Sequence, residues 1–371
     1  MFSFLSRSTQ LPHPLDKNFW LNKRVLITGH TGFIGGWLYF WLREMEVELA
    51  GFSLAPSSDP SFYDLSGIKN YGKHHIADLR DAGAVKKAIS EFNPHIILHL
   101  GAQALVRPAF KDPVDTFSTN VNGTIHVLEA ARECKDLQAV LIFTTDKVYE
   151  NIEVQRGYGE NDKLGGYEPY GASKACAEIV TSSYWHSYFK SRNIPFATLR
   201  AGNVIGGGDW SVDRLIPDAV RAFGTGQPLI LRHPQSVRPW QHVLEPCYAI
   251  MRIVEETAKH RSPLLSFNIG PDARDCQTVG WIADHFVTEW NTRSKSKAEW
   301  KHVPDNSIYE AKLLMLDNRL ARKTLGWNPR WTTKQAIQKT AHWYAVQHQG
   351  KNVENVTRSQ IMEFINGDHH G

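Results

Sequence analysis

Lys23-Arg-Val-Leu-Ile-Thr-Gly29-His-Thr-Gly32-Phe-Ile-Gly35-Gly-Trp-Leu38 is an apolar run interrupted by regularly spaced glycines and continued by an amphipathic stretch. The pattern predicts a buried strand, a tight turn and a helix. Gly29 permits the turn, Gly32 lets the backbone approach a pyrophosphate, and Gly35 allows close helix packing, with the helix N-terminus aimed at the anion. Alone, such a motif is weak, since ordinary glycine turns share it. Its place at the head of a repeating strand and helix pattern makes it a dinucleotide site, to which Thr31, Phe33 and Ile34 also belong.

Working outward, strands are expected at 24–28, 47–53, 73–77, 95–100, 139–144 and 195–200, all but the last pair separated by helical or loop stretches of crossover length. This predicts an α/β fold with a doubly wound, mostly parallel sheet and a smaller C-terminal substrate-binding cap. Regularity breaks after Arg200 into Gly202–Trp210 and Val237–His242, rich in Gly, Pro and Trp and suited to loops lining a cleft. A further strand at Leu264–Ile269 should return to the main sheet. The expected units are an N-terminal extension (1–20), a dinucleotide-binding domain (21–200), a mainly substrate-binding domain (201–345) and a C-terminal tail (346–371).

Composition narrows the class. The 371 residues, 42% of them hydrophobic, suffice for a sizeable core, and a formal charge of +4 does not call for nucleic acid. No apolar run approaches a membrane span, and Met1–Trp20 lacks the apolar core of a signal peptide, so a cytoplasmic protein is expected. Cys134, Cys176, Cys247 and Cys276 are widely spread and read as reduced structural thiols. The histidines are dispersed, His74-His75 reads as solvent-facing or structural, and Asp368-His369-His370-Gly371 carries too few ligands, so no metal site is expected. Asn291–Lys297 reads as a loop.

Chemistry is concentrated in two segments. Tyr170 and Lys174 lie four apart in a helix opening at Pro169 and so share one face. A lysine ammonium close to a phenol favours the phenolate, making a base for a sugar hydroxyl. Chance spacing on an exposed helix would look the same, so context decides. That context is Thr145-Asp146-Lys147, which sets proton-handling side chains of the kind dehydration requires beside a redox site.

Together with Asp-Leu-Arg-Asp at 78–81, His-Leu-Gly-Ala-Gln at 99–103, Arg-Ala-Gly-Asn-Val-Ile-Gly-Gly-Gly-Asp-Trp at 200–210, Arg-Leu-Ile-Pro-Asp at 214–218 and Val-Arg-Pro-Trp-Gln-His-Val at 237–243, these segments carry a resemblance. Over roughly residues 19–345 the chain resembles the extended short-chain dehydrogenase/reductase superfamily, and within it the nucleotide-sugar 4,6-dehydratases, most closely the branch acting on CDP-glucose. It departs from that branch's usual pattern at Ile34, Gly36 and Gly171, and at Gly101, Ala104 and Pro108.

The resemblance implies a mechanism. Tyr170 takes the 4-hydroxyl proton, Lys174 tunes it, and Thr145 bonds the substrate oxygen as it becomes a carbonyl. Asp146 is the acid for the departing 6-hydroxyl and Lys147 the candidate base at C5. A lysine is ordinarily protonated at neutral pH, so Lys147 could instead stay charged and stabilise an enolate, or merely pair with Asp146. Asn203 is implied at the sugar diphosphate. Arg238 and Arg214 are anion candidates, each with a surface ion pair as the alternative. Asp78 and Leu79 flank the adenine, with a helix-capping role near Asp81 as the alternative for Asp78, and Gly101, Ala102 and Gln103 lie near the nicotinamide. No acidic residue or arginine near Ser53 selects the ribose, so NAD is taken from the resemblance and from a hydride returned within each cycle. A homodimer formed through the tyrosine-bearing helices is implied as well. A 4-epimerase or reductase would share Tyr170 and Lys174 without needing Asp146-Lys147, and a non-catalytic NAD-binding protein would not need to keep both Tyr170 and Lys174.

Overall fold

The computed structural model describes residues 15–261, 263–305 and 311–367. Its centre is a seven-stranded, wholly parallel sheet of β1 (Arg24–Thr28), β2 (Glu48–Ser53), β3 (Lys73–Ile76), β4 (Ile96–His99), β5 (Ala139–Thr145), β6 (Phe196–Ala201) and β7 (Leu265–Ile269). The spatial order is β7-β6-β5-β4-β1-β2-β3. The expected α/β class and every expected strand of this sheet are present.

Parallel strands buried on both faces need apolar side chains pointing each way. In β1, Val25 and Ile27 join the core cluster containing Trp37, Phe40 and Trp41 of α1 (Phe33–Glu44), while Leu26 joins the opposite cluster. That opposite cluster is built from α2 (Ala82–Phe92) and α3 (Gly123–Arg132). The crossover from β5 to β6 carries the helix expected to open at Pro169, α4 (Pro169–Tyr184).

Beyond β6 lie α5 (Leu215–Gly224) and α6 (Leu244–His260), and α6 packs on β5, β6 and α1. The stretch 244–269 therefore covers the main sheet, and the cap is drawn from segments on either side of it. Helix α7 (Val279–Ser294) runs through the front of the expected 291–297 loop and ends at Lys295, whose φ is +53°. Two further helices follow, α8 (Thr333–His348) and α9 (Val353–Asn366).

The segments expected as an extension and a tail are tied down where they are described. Trp20 is fully buried and its indole donates to Glu255 Oε1 at 2.7 Å. In α9 the apolar positions Val353, Val356, Ile361 and Phe364 fall on one helical face, and Phe364 meets the Trp41 ring edge-on at 5.9 Å. Residues 1–14 and the Asp368–Gly371 segment lie outside the described residues. Among the described residues no helix is long and apolar enough to cross a membrane, and no cluster of potential ligands could hold a metal ion. The four cysteines are free thiols.

Candidate active site

In an open parallel sheet, ligands bind beyond the carboxyl ends of the strands where the strand order reverses. Here that point lies between β1 and β4, and the glycines meet there. Gly29 has φ +78°, and a Cβ on it would lie 2.8 Å from Gly101, the second residue after β4. A Cβ on Gly35 would lie 2.2 Å from the Gly29 carbonyl oxygen, so the helix can start this close to the turn only as glycine. Gly32 caps α1 without a side-chain hydrogen bond, leaving first-turn N–H groups for an anion.

Neighbouring side chains brace the turn. Thr31 Oγ1 bonds Ser53 Oγ at 2.8 Å and the Leu54 carbonyl at 2.9 Å, fixing the loop to the end of β2. Behind it, His30 Nε2 bonds His74 Nδ1 at 2.9 Å, so His74 is structural. Burial, with like-charge repulsion from His74, holds His30 down at about 3, which keeps it neutral.

A single cavity of about 740 Å³ runs from this cradle across the sheet's carboxyl edge. Its wall contains Gly29, Thr31, Gly32, Phe33, Ile34, Gly35, Asp78, Leu79, Gly101, Ala102 and Gln103. It also contains Thr145, Lys147, Tyr170, Lys174, Asn203, Arg214 and Arg238, so the structure assembles every sequence-predicted site residue on one wall except Asp146. Glycines that a Cβ would fill, an open helix N-terminus and a long cavity fit a dinucleotide.

Asp146 lies just beneath the wall and is 0% exposed. Its Oδ1 accepts from Thr145 Oγ1 and from Lys147 Nζ, each at 3.1 Å, and its Oδ2 is buried without a partner in the chain. Lys147 keeps about a third of its side chain exposed, so this pair reaches from the buried carboxylate to the cavity. A short 3-10 turn at Asp146–Val148, opened by the backbone N–H of Lys147 bonding Thr145 Oγ1 at 3.4 Å, sets these side chains apart in direction.

Tyr170 and Lys174 stand on the first turns of α4, both buried. Burial depresses the lysine to about 8, with Glu178 one turn further along pulling the other way. The phenol differs from expectation. Burial pushes it up to about 12, further raised by Asp146 and Glu168, and the groups that draw it down are the Thr145 hydroxyl, through a hydrogen bond, and the Arg214 guanidinium. Desolvation of the anion outweighs the cations in the chain by itself.

Two acidic residues were missed in the sequence. Glu168 caps α4, its oxygens accepting from the N–H groups of Tyr170 at 2.7 Å and Gly171 at 2.6 Å, and it lies on the cavity wall beside Lys147. An acid immediately before Pro169 at a helix start was the available signal. Glu178 forms a buried ion pair with Arg200 at 2.7 Å and accepts from Thr144 and Thr198 hydroxyls at 2.6 and 3.0 Å. Its spacing of four from Lys174 was legible, its partners were not.

The substrate candidates differ in engagement. Asn203 Oδ1 is buried on the wall without a partner, as expected of a group that awaits a ligand donor. Arg214 pairs with the buried Asp209 at 3.2 Å while keeping about a third of its side chain exposed. Arg238 is buried and donates to the Val237 carbonyl at 2.9 Å. Asp78 is clasped by the Arg80 guanidinium, and the helix-capping role belongs to Asp81, which accepts from Ala84 N at 3.0 Å.

This arrangement is that of a known group. The chain is 41% identical to the CDP-glucose 4,6-dehydratase of Salmonella typhimurium over 95% of its own length and 98% of that protein's. Among solved structures it resembles a UDP-glucose-4-epimerase from Stenotrophomonas maltophila (TM-score 0.76, 20% identity, covering 89% of this chain and 100% of that one). It also resembles a dTDP-glucose 4,6-dehydratase from Bacillus anthracis (TM-score 0.72, 21% identity, covering 89% and 98%). At that identity these two structures attest the shared fold. The GDP-mannose 4,6 dehydratase family matches residues 26–340, from β1 to the middle of α8, and the chain belongs to that family.

Proposed function

We propose that the chain is an NAD-dependent nucleotide-sugar 4,6-dehydratase that converts CDP-glucose to CDP-4-keto-6-deoxyglucose. The observation that carries the reading is that one cavity is lined by Tyr170 and Lys174, for oxidation, and by Thr145 and Lys147, which hold Asp146 just beneath the wall for elimination. An epimerase or reductase needs only the first group. Support for the cytidine sugar comes from the Salmonella relative.

Gly29, Gly32, Gly35, Gly101 and the first turn of α1 would hold NAD, which supplies the hydride acceptor for C4 and the donor for C6. Tyr170 removes the 4-hydroxyl proton, and the Thr145 hydroxyl steadies the oxygen as it becomes a carbonyl. The ketone acidifies C5. Asp146 Oδ2, buried and unpartnered, delivers a proton to the departing 6-hydroxyl. Lys147, ion-paired yet reaching the cavity, brings positive charge to the enolate, and the C5 proton goes to Lys147 or to Glu168 beside it. Asn203 and Arg238 hold the diphosphate. A cytoplasmic location, with the nucleotide sugars, is part of the same proposal.

The test is to incubate the purified protein with CDP-, dTDP-, UDP- and GDP-hexoses and identify products by mass and NMR. A 4-keto-6-deoxy sugar from CDP-glucose, with catalytic NAD and no net NADH, is expected. NADH accumulating stoichiometrically with product would overturn the reading.

The homodimer belongs to the same proposal. Exposed apolar side chains on α4 and the segment before α3 (Ile179 at 60%, Val114 at 77%, Phe117 at 36%) form a face suited to a second copy of the tyrosine-bearing helix. Light scattering should give twice the monomer mass, and Ile179→Lys should give monomer.

A further inference from the structure

The carboxyl edge of the sheet fixes the order of the cavity's parts. Ser53 ends β2 and Asp78 follows β3 at one side, the glycine cradle lies between β1 and β4, Thr145 ends β5, and Asn203 follows β6 at the other side. A dinucleotide laid on the cradle fills the side of β1 to β3. The hexose then lies at Thr145 and Tyr170 and its diphosphate at Asn203 and Arg238, so the substrate's nucleoside must lie beyond β6. The cavity is lined there by the start of α5 and by the short strand Leu229–Leu231, which pairs with Trp300–His302.

That end is largely apolar. Leu215 and Pro217 share the wall with Leu229, Ile230 and Leu231, which suits the flat faces of a base. Three carboxylates interrupt it. Asp209 is engaged through both oxygens, Oδ2 with Arg214 at 3.2 Å and Oδ1 with the N–H of Ser211 at 3.0 Å. Asp213 is shared by the guanidinium groups of Arg232 at 3.1 Å and Arg107 at 3.9 Å. Asp218, in the first turn of α5, commits only Oδ1, to Arg221. Arg221 is itself anchored on the carbonyls of Trp210 at 2.9 Å and Ser211 at 3.0 Å, which holds the carboxylate in place. Among the described residues nothing donates to Asp218 Oδ2, and 37% of the side chain is open.

An ionised carboxylate can only accept hydrogen bonds. At its fourth ring position cytosine carries an amine, a donor, where thymine and uracil carry a carbonyl, an acceptor. A carboxylate at this end of the cavity therefore attracts the first base and repels the other two.

Building on the dehydratase reading, we propose that Asp218 is the specificity-determining residue for the base, its Oδ2 accepting from the exocyclic amine of cytosine. The selection has an attractive part, the bond to the amine, and a repulsive part, the carboxylate against a carbonyl oxygen. Arg221 is a positioning residue, since it holds Oδ1 and leaves Oδ2 for the base.

Calorimetry with nucleoside diphosphates in the presence of NAD tests this without turnover. Wild type should bind CDP ~10-fold or more tightly than UDP. Asp218→Asn, whose amide can turn its oxygen to an amine or its NH2 to a carbonyl, should bring the two affinities together. A merely structural role would weaken CDP and UDP alike and leave their ratio, so an unchanged ratio overturns the proposal. Asp213→Asn should keep the wild-type ratio; if it equalises CDP and UDP while Asp218→Asn does not, Asp213 reads the base and the proposal fails. Should Asp218→Asn not fold, the diphosphate of pyrimidin-2-one riboside, which lacks the amine, serves with wild type. It should bind between CDP and UDP, and binding as tight as that of CDP would show that the amine is not read. These outcomes stand apart from the dehydratase assay. If CDP-glucose is not converted yet Asp218→Asn equalises CDP and UDP, the selection holds and the dehydratase reading fails. If CDP-glucose is converted and the ratio does not move, the selection alone fails.

Discussion

Replacing Asp146 by asparagine should separate oxidation from elimination. The amide has nearly the volume of the carboxylate, and its oxygen can accept from Thr145 Oγ1 and Lys147 Nζ as Asp146 Oδ1 does at 3.1 Å. Lys147 is solvated over about a third of its side chain, so losing its ion-pair partner does not strand a buried charge. What disappears is a transferable proton. Losing a general acid costs ~10²–10⁴-fold, or about 3–5 kcal/mol in the elimination barrier. Oxidation responds with the opposite sign. Burial is the main cause of the high Tyr170 pKa and the Asp146 charge adds to it, so removing that charge lowers the phenol's pKa and extends oxidation to lower pH. In single turnover the variant should show persistent nicotinamide reduction with a 4-ketohexose that keeps its 6-hydroxyl. A folded variant that eliminates water at the wild-type rate would refute the role of Asp146.

Tyr170→Phe removes the redox base from a buried site without adding volume, so turnover should fall at least ~10²-fold while the melting temperature holds; retained turnover would place the base elsewhere. Gly35→Ala places a Cβ 2.2 Å from the Gly29 carbonyl oxygen, which must push α1 from the turn. NAD affinity by calorimetry should drop at least tenfold, and unchanged affinity would show that the cradle does not hold the cofactor. Glu245 at the start of α6 is raised to about 7 by burial, against hydrogen bonds from the N–H groups of Trp331 at 2.9 Å and Arg330 at 2.8 Å. The folded state therefore holds the proton more tightly than the unfolded chain. Its contribution is complete below the unfolded value near 4.5 and is lost as pH rises through about 7. Glu245→Gln should flatten this dependence by on the order of 3 kcal/mol in unfolding titrations between pH 5 and 8. Parallel pH curves for the two proteins would count against it.

The sheet was legible because its signals are local. Apolar runs such as Val25-Leu-Ile27 and Ile96-Ile-Leu98, glycines at fixed spacing and crossover-length separations depend only on near neighbours in the chain. They specified β1 to β7, the glycine turn and the shared face of Tyr170 and Lys174 before any contact was known. The return of 244–260 to the sheet and the packing of α9 on Trp41 were decided by long-range burial. Electrostatics required the fold above all. Proximity of Lys174 to Tyr170 predicts a lowered phenol, but burial of the whole site, which no spacing encodes, drives it to about 12. The sequence likewise places Thr145, Asp146 and Lys147 side by side without saying where each points. A turn of 3-10 helix buries Asp146, leaves Lys147 on the wall and turns the Thr145 hydroxyl onto the Asp146 carboxylate. Adjacency in the chain is covalent, whereas desolvation and direction arise only when strands and helices distant in sequence close around the site.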